Sequence, residues 1–343
     1  MAGPPRLFAR LGAALVTCVV AAALAACGSG ADQPSAGGTT RPLRIATTVA
    51  PLTSIVASVA GDRAVVRGLV PEGTNSHTFE PPPSAAKVVA QADVVFLNGL
   101  KLEDPTKELA EENRSRGTEV VELGDTALPP AERMYDFSFP RSGGKPNPHA
   151  WTDPPLAKRY ARIVADTLSR RDPANARAYE ANYARFAERV DALHAAMVAA
   201  TATLPPQRRK LLTYHDAYAY FAREYGWTVI GAIQPSSFHD PTPREVGALI
   251  SQIRAEGVPA IFGSEVFPSP VLEQIGRETG VRYVDVLRDD DLPGRPGDSE
   301  HSWLGLMRFD FVTMVESLGG DASALRAVSV DQGPGSLRAG YPQ

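Results

Sequence analysis

One long helical segment, residues 154–204, divides the sequence into two parts with the same alternating pattern. Before it, short runs rich in β-branched residues, such as Leu43–Val49, alternate with longer helical stretches, and the alternation restarts after Pro205 and Pro206. Alternation of this kind indicates a parallel sheet that helices cover on both faces. We therefore predict an α/β protein with two similar lobes, each a mainly parallel sheet flanked by helices, joined by one long helix.

The long segment itself breaks at Asp172-Pro173, because a residue that precedes proline is disfavoured in the helical region. Beyond the break, apolar residues recur at three- and four-residue steps, which predicts a helix with one buried stripe. We place the N-terminal lobe at residues 42–172, the linking helix at 173–204, the C-terminal lobe at 205–320, and a polar, glycine-rich tail at 321–343.

The N-terminus has the features of an export signal. Arg6 and Arg10 precede an apolar run that is short for a membrane-spanning helix and ends in small residues, which predicts a signal peptide at residues 1–26. The sequence Leu-Ala-Ala-Cys that ends at Cys27 resembles the lipobox of bacterial lipoproteins, which implies cleavage before Cys27 and its acylation. The alternative is ordinary cleavage with an incidental cysteine. Residues 27–41, small and polar, then form a flexible tether.

Composition limits the remaining possibilities. Cys18, the other of the two cysteines, leaves with the signal peptide, so we expect a mature chain without a disulfide, stabilised by packing. The 35 basic and 39 acidic residues give a net charge of −4 and no sign of a nucleic-acid partner. We expect a monomer held at the extracytoplasmic face of the cell membrane by its lipid.

Three histidines stand on predicted loops at the carboxyl ends of predicted strands. His77 follows the second strand of the first lobe, His149 follows the Gly/Pro-rich loop 141–148, and His215 ends the first strand of the second lobe. Asp285 is a fourth candidate, because it ends the last strand of that lobe. Open α/β sheets bind ligands at this edge, so two residues from each lobe would meet in the cleft between them.

Three imidazoles and one carboxylate suit a borderline divalent ion such as Zn(II), with Mn(II) as an alternative because the carboxylate supplies a hard oxygen. Four protein ligands can close a tetrahedral shell, which favours holding an ion over activating a water molecule. No His-Glu-x-x-His or Gly-x-Ser-x-Gly motif is present. The pattern therefore predicts metal binding without catalysis.

Three further residues are candidates for supporting positions. His239 stands on a loop after a second-lobe strand and could approach the cleft. His301 follows the acidic run Asp289–Asp291, which is either a solvated loop or a rim that attracts cations. Glu265 either orients a ligand imidazole or is packed or solvated without a role in binding.

Five short motifs together resemble the zinc- and manganese-binding proteins of bacterial ABC importers, the cluster A-I solute-binding proteins. The resemblance spans about residues 43–320. The motifs are Asn75–Pro81, Ala92-Asp93 with Asn98-Gly99, Asn147–Trp151, His215–Phe221 and Leu304–Phe309.

This resemblance implies a lipid-anchored receptor that captures a transition-metal ion between two lobes joined by a rigid helix. The receptor would pass the ion to a membrane permease driven by a cytoplasmic ATPase. The family's ligand positions fall on His77, His149, His215 and Asp285, and nothing in the family pattern implies an enzyme.

The choice of metal stays open between Zn(II) and Mn(II). Many manganese-specific members have glutamate where His215 stands, which favours zinc. Many zinc-specific members carry a histidine-rich loop between the first two ligands, whereas residues 100–148 contain no histidine. A zinc hydrolase with Glu265 as its base, and an adhesin with a structural metal, are the alternatives from other functional classes.

Overall fold

Two parallel sheets organise the computed structural model, which describes residues 1, 3, 41–232, 241–264, 269–331 and 339–342. The first sheet has the strand order β2-β1-β3-β4 and the second β6-β5-β7-β8, with every neighbouring pair parallel. The strands are β1 (Leu43–Thr47), β2 (Ala64–Gly68), β3 (Val94–Leu97), β4 (Glu119–Glu122), β5 (Lys210–Thr213), β6 (Thr228–Ala232), β7 (Ala260–Ser264) and β8 (Arg282–Leu287).

Helices cover these sheets and connect them, as the alternation predicts. Those of the first half are α1 (Ala50–Ala60), α2 (Pro83–Gln91), α3 (Asp104–Asn113), α4 (Leu123–Ala127), α5 (Pro154–Arg171) and α6 (Ala176–Ala202). Those of the second half are α7 (Ala219–Tyr225), α8 (Pro243–Glu256), α9 (Pro270–Thr279), α10 (Trp303–Ser317) and α11 (Ser323–Arg326). The predicted fold class is therefore confirmed.

The long helix α6 joins the two sheets and belongs to the core of both. Its buried stripe includes Tyr179, Leu193 and Met197, each 0% exposed, in one apolar cluster with residues of the two sheets. The break before α6 lies where Pro173 predicts it, because α5 ends at Arg171 and Asp172 caps it. The Asp172 carboxylate accepts a hydrogen bond from the Tyr179 hydroxyl at 2.8 Å. A linking helix packed along its length against both halves resists bending between them.

The strand order creates the same crevice in each sheet. The connection after β1 leads to β2 on one side, whereas the connection after β3 leads to β4 on the other side, and the connections after β5 and β7 diverge in the same way. Loops at the carboxyl ends of the strands separate at such a switch point and leave room for a ligand. The three candidate histidines lie on loops at these ends.

Several predicted features lie outside the described residues. These are most of the signal peptide 1–26, the acylated Cys27, nearly all of the tether 27–41, His239 and Glu265. Within the part of the chain that the structure describes, no helix combines the length and the apolarity needed to cross a bilayer.

Candidate metal site

His77, His149 and His215 converge on one point at the carboxyl ends of the strands. The Nε2 atom of His77 lies 3.1 Å from Nε2 of His149 and 3.1 Å from Nε2 of His215. Within the described ranges, these three residues form the group of histidine, cysteine and acidic side chains able to share an ion, with ligand atoms within 4.8 Å of one another. His149 and His215 follow His77 by 72 and 138 positions in the sequence, and both direct Nε2 toward the Nε2 atom of His77.

Asn147 fixes the orientation and the tautomer of His149. Its Oδ1 accepts hydrogen bonds from the His149 backbone N–H at 3.1 Å and from His149 Nδ1 at 2.9 Å, while its Nδ2 donates to Asp136 Oδ2 at 2.9 Å. Because a backbone N–H can only donate, Oδ1 is the acceptor and Nδ1 of the imidazole must carry the proton. The Nε2 lone pair of neutral His149 is therefore left facing the other histidines.

A carboxylate fixes the orientation and the tautomer of His215. Asp289 Oδ2 contacts Nδ1 of His215, and both side chains are almost fully buried. The backbone of Asp289 is held in turn, since its carbonyl oxygen accepts a hydrogen bond from Trp151 Nε1 at 3.0 Å. With its Nδ1 proton directed at Asp289, neutral His215 also presents a lone pair on Nε2.

The environment shifts the pKa values of the three histidines in different directions. Burial lowers the pKa of His77 and of His149 well below the usual value, and repulsion from a charged His215 lowers both further. Burial also opposes charge on His215, but the neighbouring Asp289 outweighs it and raises the pKa of His215. Near neutral pH, two of the three rings are therefore held in the uncharged form that a metal ion requires.

Buried carboxylates surround His215 and make the site favourable for a cation. Asp216, Asp289 and Asp290 are 1%, 4% and 7% exposed. Burial raises the pKa of Asp216 and that of Asp290 to about 7. One oxygen of Asp290 accepts a hydrogen bond from Ser76 Oγ at 2.5 Å, and its other oxygen has no hydrogen-bond partner among the described residues. A divalent ion would offset this concentration of negative charge.

The structure does not bring Asp285, the predicted fourth ligand, to the three histidines. Asp285 is exposed on β8 and does not belong to the histidine group. The strand continues to Leu287, and a register shift sets Asp285 and Val286 opposite the single residue Gly263 of β7, as in a β-bulge. The carboxyl end of β8 therefore lies beyond Asp285, and Asp289, two residues after the strand, is the carboxylate that contacts His215.

The acidic run is also not the solvated loop that its composition indicates, because Asp289, Asp290 and Asp291 are all buried. It joins the halves of the molecule: Gly73 N donates to both oxygens of Asp291, at 2.8 and 2.9 Å, and Asp290 accepts from Ser76. His301 is buried nearby, 3.6 Å from Glu72, and is not part of the histidine group. The run therefore fixes the loop that carries His77.

A cavity of about 580 Å³ has His77 in its wall. Its wall includes Leu100 and Lys101, non-glycine residues with positive φ angles of 54° and 66°, in a turn held by a hydrogen bond from Leu100 N to Asp125 Oδ2 at 2.8 Å. A larger cavity of about 1010 Å³ lies between β8 and α10, but none of the three histidines lines it. The smaller cavity is thus the one of these two that contacts a converging histidine.

The spacing of the nitrogens fits a tetrahedral ion. With metal–nitrogen distances of about 2.0–2.1 Å, a tetrahedral zinc ion holds its ligand nitrogens about 3.3–3.4 Å apart. The two separations of 3.1 Å would have to widen by only a few tenths of an ångström. His77 therefore needs to move little relative to the other two histidines for such an ion to bind.

Comparison with known proteins points to one family. The sequence model described as "ZnuA: Zinc-uptake complex component A periplasmic" matches residues 45–317. "Iron-binding protein YfeA" of Yersinia pestis is 28% identical over 307 residues, which are 90% of this chain and 96% of that protein. "Manganese-binding lipoprotein MntA" of Halalkalibacterium halodurans is 28% identical over 302 residues, or 88% and 96% of the two chains. The solved structure of the periplasmic zinc binding protein TroA from Treponema pallidum matches with a TM-score of 0.73 and 26% identity, over 81% and 99%.

Proposed function

We propose, on the premise that this chain belongs to the zinc-uptake complex component A family, that Zn(II) is the ion it captures for import. The protein is a metal-binding solute receptor of an ABC importer and not an enzyme. The observation that supports the choice of zinc is the convergence of three imidazole Nε2 atoms, two of them in rings whose Nδ1 is engaged by Asn147 or Asp289.

Nitrogen-rich donor sets favour Zn(II) over Mn(II), because imidazole is a borderline ligand and Mn(II) prefers oxygen. The alternative cargo is Mn(II), and the curated relatives named above are described as binding iron or manganese. For the fourth ligand we propose Asp290, which is buried and has one carboxylate oxygen without a hydrogen-bond partner among the described residues. Three nitrogens and one oxygen would then close a tetrahedral shell and leave no position for a reacting water molecule.

Metal competition tests the proposed cargo. Protein purified without added metal is expected to contain Zn(II), and a roughly 100-fold excess of Mn(II) should not displace it, since zinc lies well above manganese in the order of site affinities. Elemental analysis before and after exchange measures both quantities. Retention of Mn(II) in the presence of equimolar Zn(II) would replace zinc with manganese as the cargo.

We expect the affinity for Zn(II) to depend on pH through His215. Its raised pKa means that this ring keeps a proton to higher pH than His77 or His149, whose lowered pKa values keep them neutral. Below the pKa of His215 one proton must leave for each ion bound, so affinity should fall about tenfold per pH unit there. Competition against a chelator of known pH dependence between about pH 5 and 8 measures this, and a constant affinity would contradict it.

The family and the N-terminal sequence support a proposal for where the receptor is held in the cell. We propose that acylated Cys27 anchors the receptor at the extracytoplasmic face of the membrane, with residues 27–41 as tether, and that its partners are an ABC permease and its ATPase. Relatives described as lipoproteins support the anchor. Mass spectrometry of the mature protein tests it: a lipid-modified Cys27 at the N-terminus is expected, and an unmodified N-terminus elsewhere would exclude it.

A further inference from the structure

The chain continues past the region that the family model covers. That match ends at residue 317, at the end of α10. The following segment is anchored in the core by Leu325 and Val330, 0% and 5% exposed, and Arg308 Nη1 donates to the Val328 carbonyl at 2.8 Å. The C-terminal extension is therefore attached to the second half of the molecule before it reaches its last described residues.

Those last residues, 339–342, pair with the edge of the first sheet. Gly340 N donates to the Val66 carbonyl at 2.9 Å, and Gly68 N donates to the Gly340 carbonyl at 2.9 Å, so Gly340 forms a parallel bridge with Arg67 of β2. The strand β2 is an edge strand of its sheet. The tail thus satisfies backbone groups on an edge that would otherwise be exposed.

Beyond the bridge, the tail contacts the start of the loop that carries His77. The Pro342 carbonyl accepts a hydrogen bond from Glu72 N at 3.3 Å. The ring of Tyr341 lies edge-on to His301, with ring centroids 4.6 Å apart. Glu72 Oε1 accepts from Leu292 N at 3.4 Å. Glu72 is therefore held between the tail and the end of the acidic run.

The remainder of the loop is fixed from the other side. Gly73 N and Ser76 Oγ donate to Asp291 and Asp290, and the His77 backbone N–H donates to Asn75 Oδ1 at 2.9 Å. His77 itself lies on a segment without regular secondary structure, between β2 and α2. Its position depends on contacts at both ends of this segment, and the tail supplies the contacts at the end that begins with Glu72.

We propose that residues 339–342 are positioning residues for His77 and that their contacts slow the release of the captured ion. The inference rests on the proposed metal-receptor function and extends it to a part of the chain outside the family model. A ligand on an irregular loop leaves the ion whenever the loop moves, so a tail that restrains Glu72 lowers the dissociation rate. In this proposal the tail acts through the loop and not as a ligand.

The test uses a matched pair of substitutions and a shortened chain. Gly340→Pro removes the N–H that donates to Val66, whereas Gly340→Ala keeps it, and a Cβ there meets its nearest neighbour, Arg67 Cγ, at an ordinary 3.6 Å. The shortened chain ends after Arg338. Zn(II) dissociation is measured by adding excess chelator to the Zn(II)-loaded wild-type protein, both substituted proteins and the shortened chain. Thermal unfolding is measured on the metal-free form of each.

Gly340→Pro and the shortened chain should release Zn(II) about tenfold faster than the wild-type protein, the lower end of what loss of an outer partner costs a metal site. Gly340→Ala should match the wild type. Unchanged dissociation in both altered chains, whatever their melting temperatures, would overturn the positioning role. A wild-type protein that binds no Zn(II) would instead refute the proposed cargo, and the same comparison would then use the metal that copurifies.

Discussion

Replacing His149 by alanine is expected to weaken Zn(II) binding by more than about 100-fold, beyond the 10- to 100-fold that loss of an outer partner costs. His149 is fully buried and its Nε2 faces His77 across 3.1 Å, so no other side chain can take over its lone pair. The change also removes one of the two hydrogen bonds to Asn147 Oδ1, which should cost about 0.5–1.5 kcal/mol of stability without unfolding the protein. Calorimetric titration with Zn(II) measures the affinity.

His194→Ala is the control for this substitution. His194 lies on the linking helix with Nδ1 3.1 Å from the Tyr225 hydroxyl and is not one of the three converging histidines. Its loss should leave Zn(II) affinity unchanged within a factor of about two, since surface changes rarely act at a distance. Equal affinities for His149→Ala and the wild type would remove His149 from the site.

The second large effect is expected at Asp289. Asp289→Asn keeps the size of the side chain but removes the charge that contacts Nδ1 of His215 and fixes the orientation of its ring. We expect a loss of about 10- to 100-fold in Zn(II) affinity, the range that loss of an outer partner costs a metal site. Competition against a chromophoric chelator measures losses in this range.

Asp285→Asn is the matched control because it makes the same chemical change on the same stretch of chain. Asp285 is exposed on β8, so its replacement should leave Zn(II) affinity unchanged. The reverse result, a loss at Asp285 with none at Asp289, would restore the interpretation based on sequence alone. Circular dichroism of the metal-free variants shows whether either change disturbs the fold.

The alternation of strands and helices was sufficient to predict the two sheets because each element has its own local pattern. Proline at position 173 predicts the break before α6, and the apolar stripe that includes Tyr179 and Leu193 predicts which face is buried. Histidines at strand ends could be found for the same reason, since parallel strands bring their carboxyl ends to one edge. These inferences need only short-range sequence information.

The identity of the carboxylate could not be predicted in this way. A bulge in β8 moves the strand end past Asp285, and apolar Leu287 was the available signal that the strand continues. Three consecutive acidic residues are typical of a solvated loop, yet Asp290 is buried against Ser76, 214 positions away in sequence. Contacts between residues this far apart depend on how the two sheets pack, which no local pattern specifies.

X-ray absorption spectroscopy of the Zn(II)-loaded protein at the zinc edge tests the site most directly. We predict a four-coordinate ion with three imidazole nitrogens and one carboxylate oxygen at about 2.0–2.2 Å, with the imidazole scattering lost in proportion when His77, His149 or His215 is replaced. A bound ion surrounded by oxygen atoms, with one imidazole or none, would contradict a receptor site built from these three histidines.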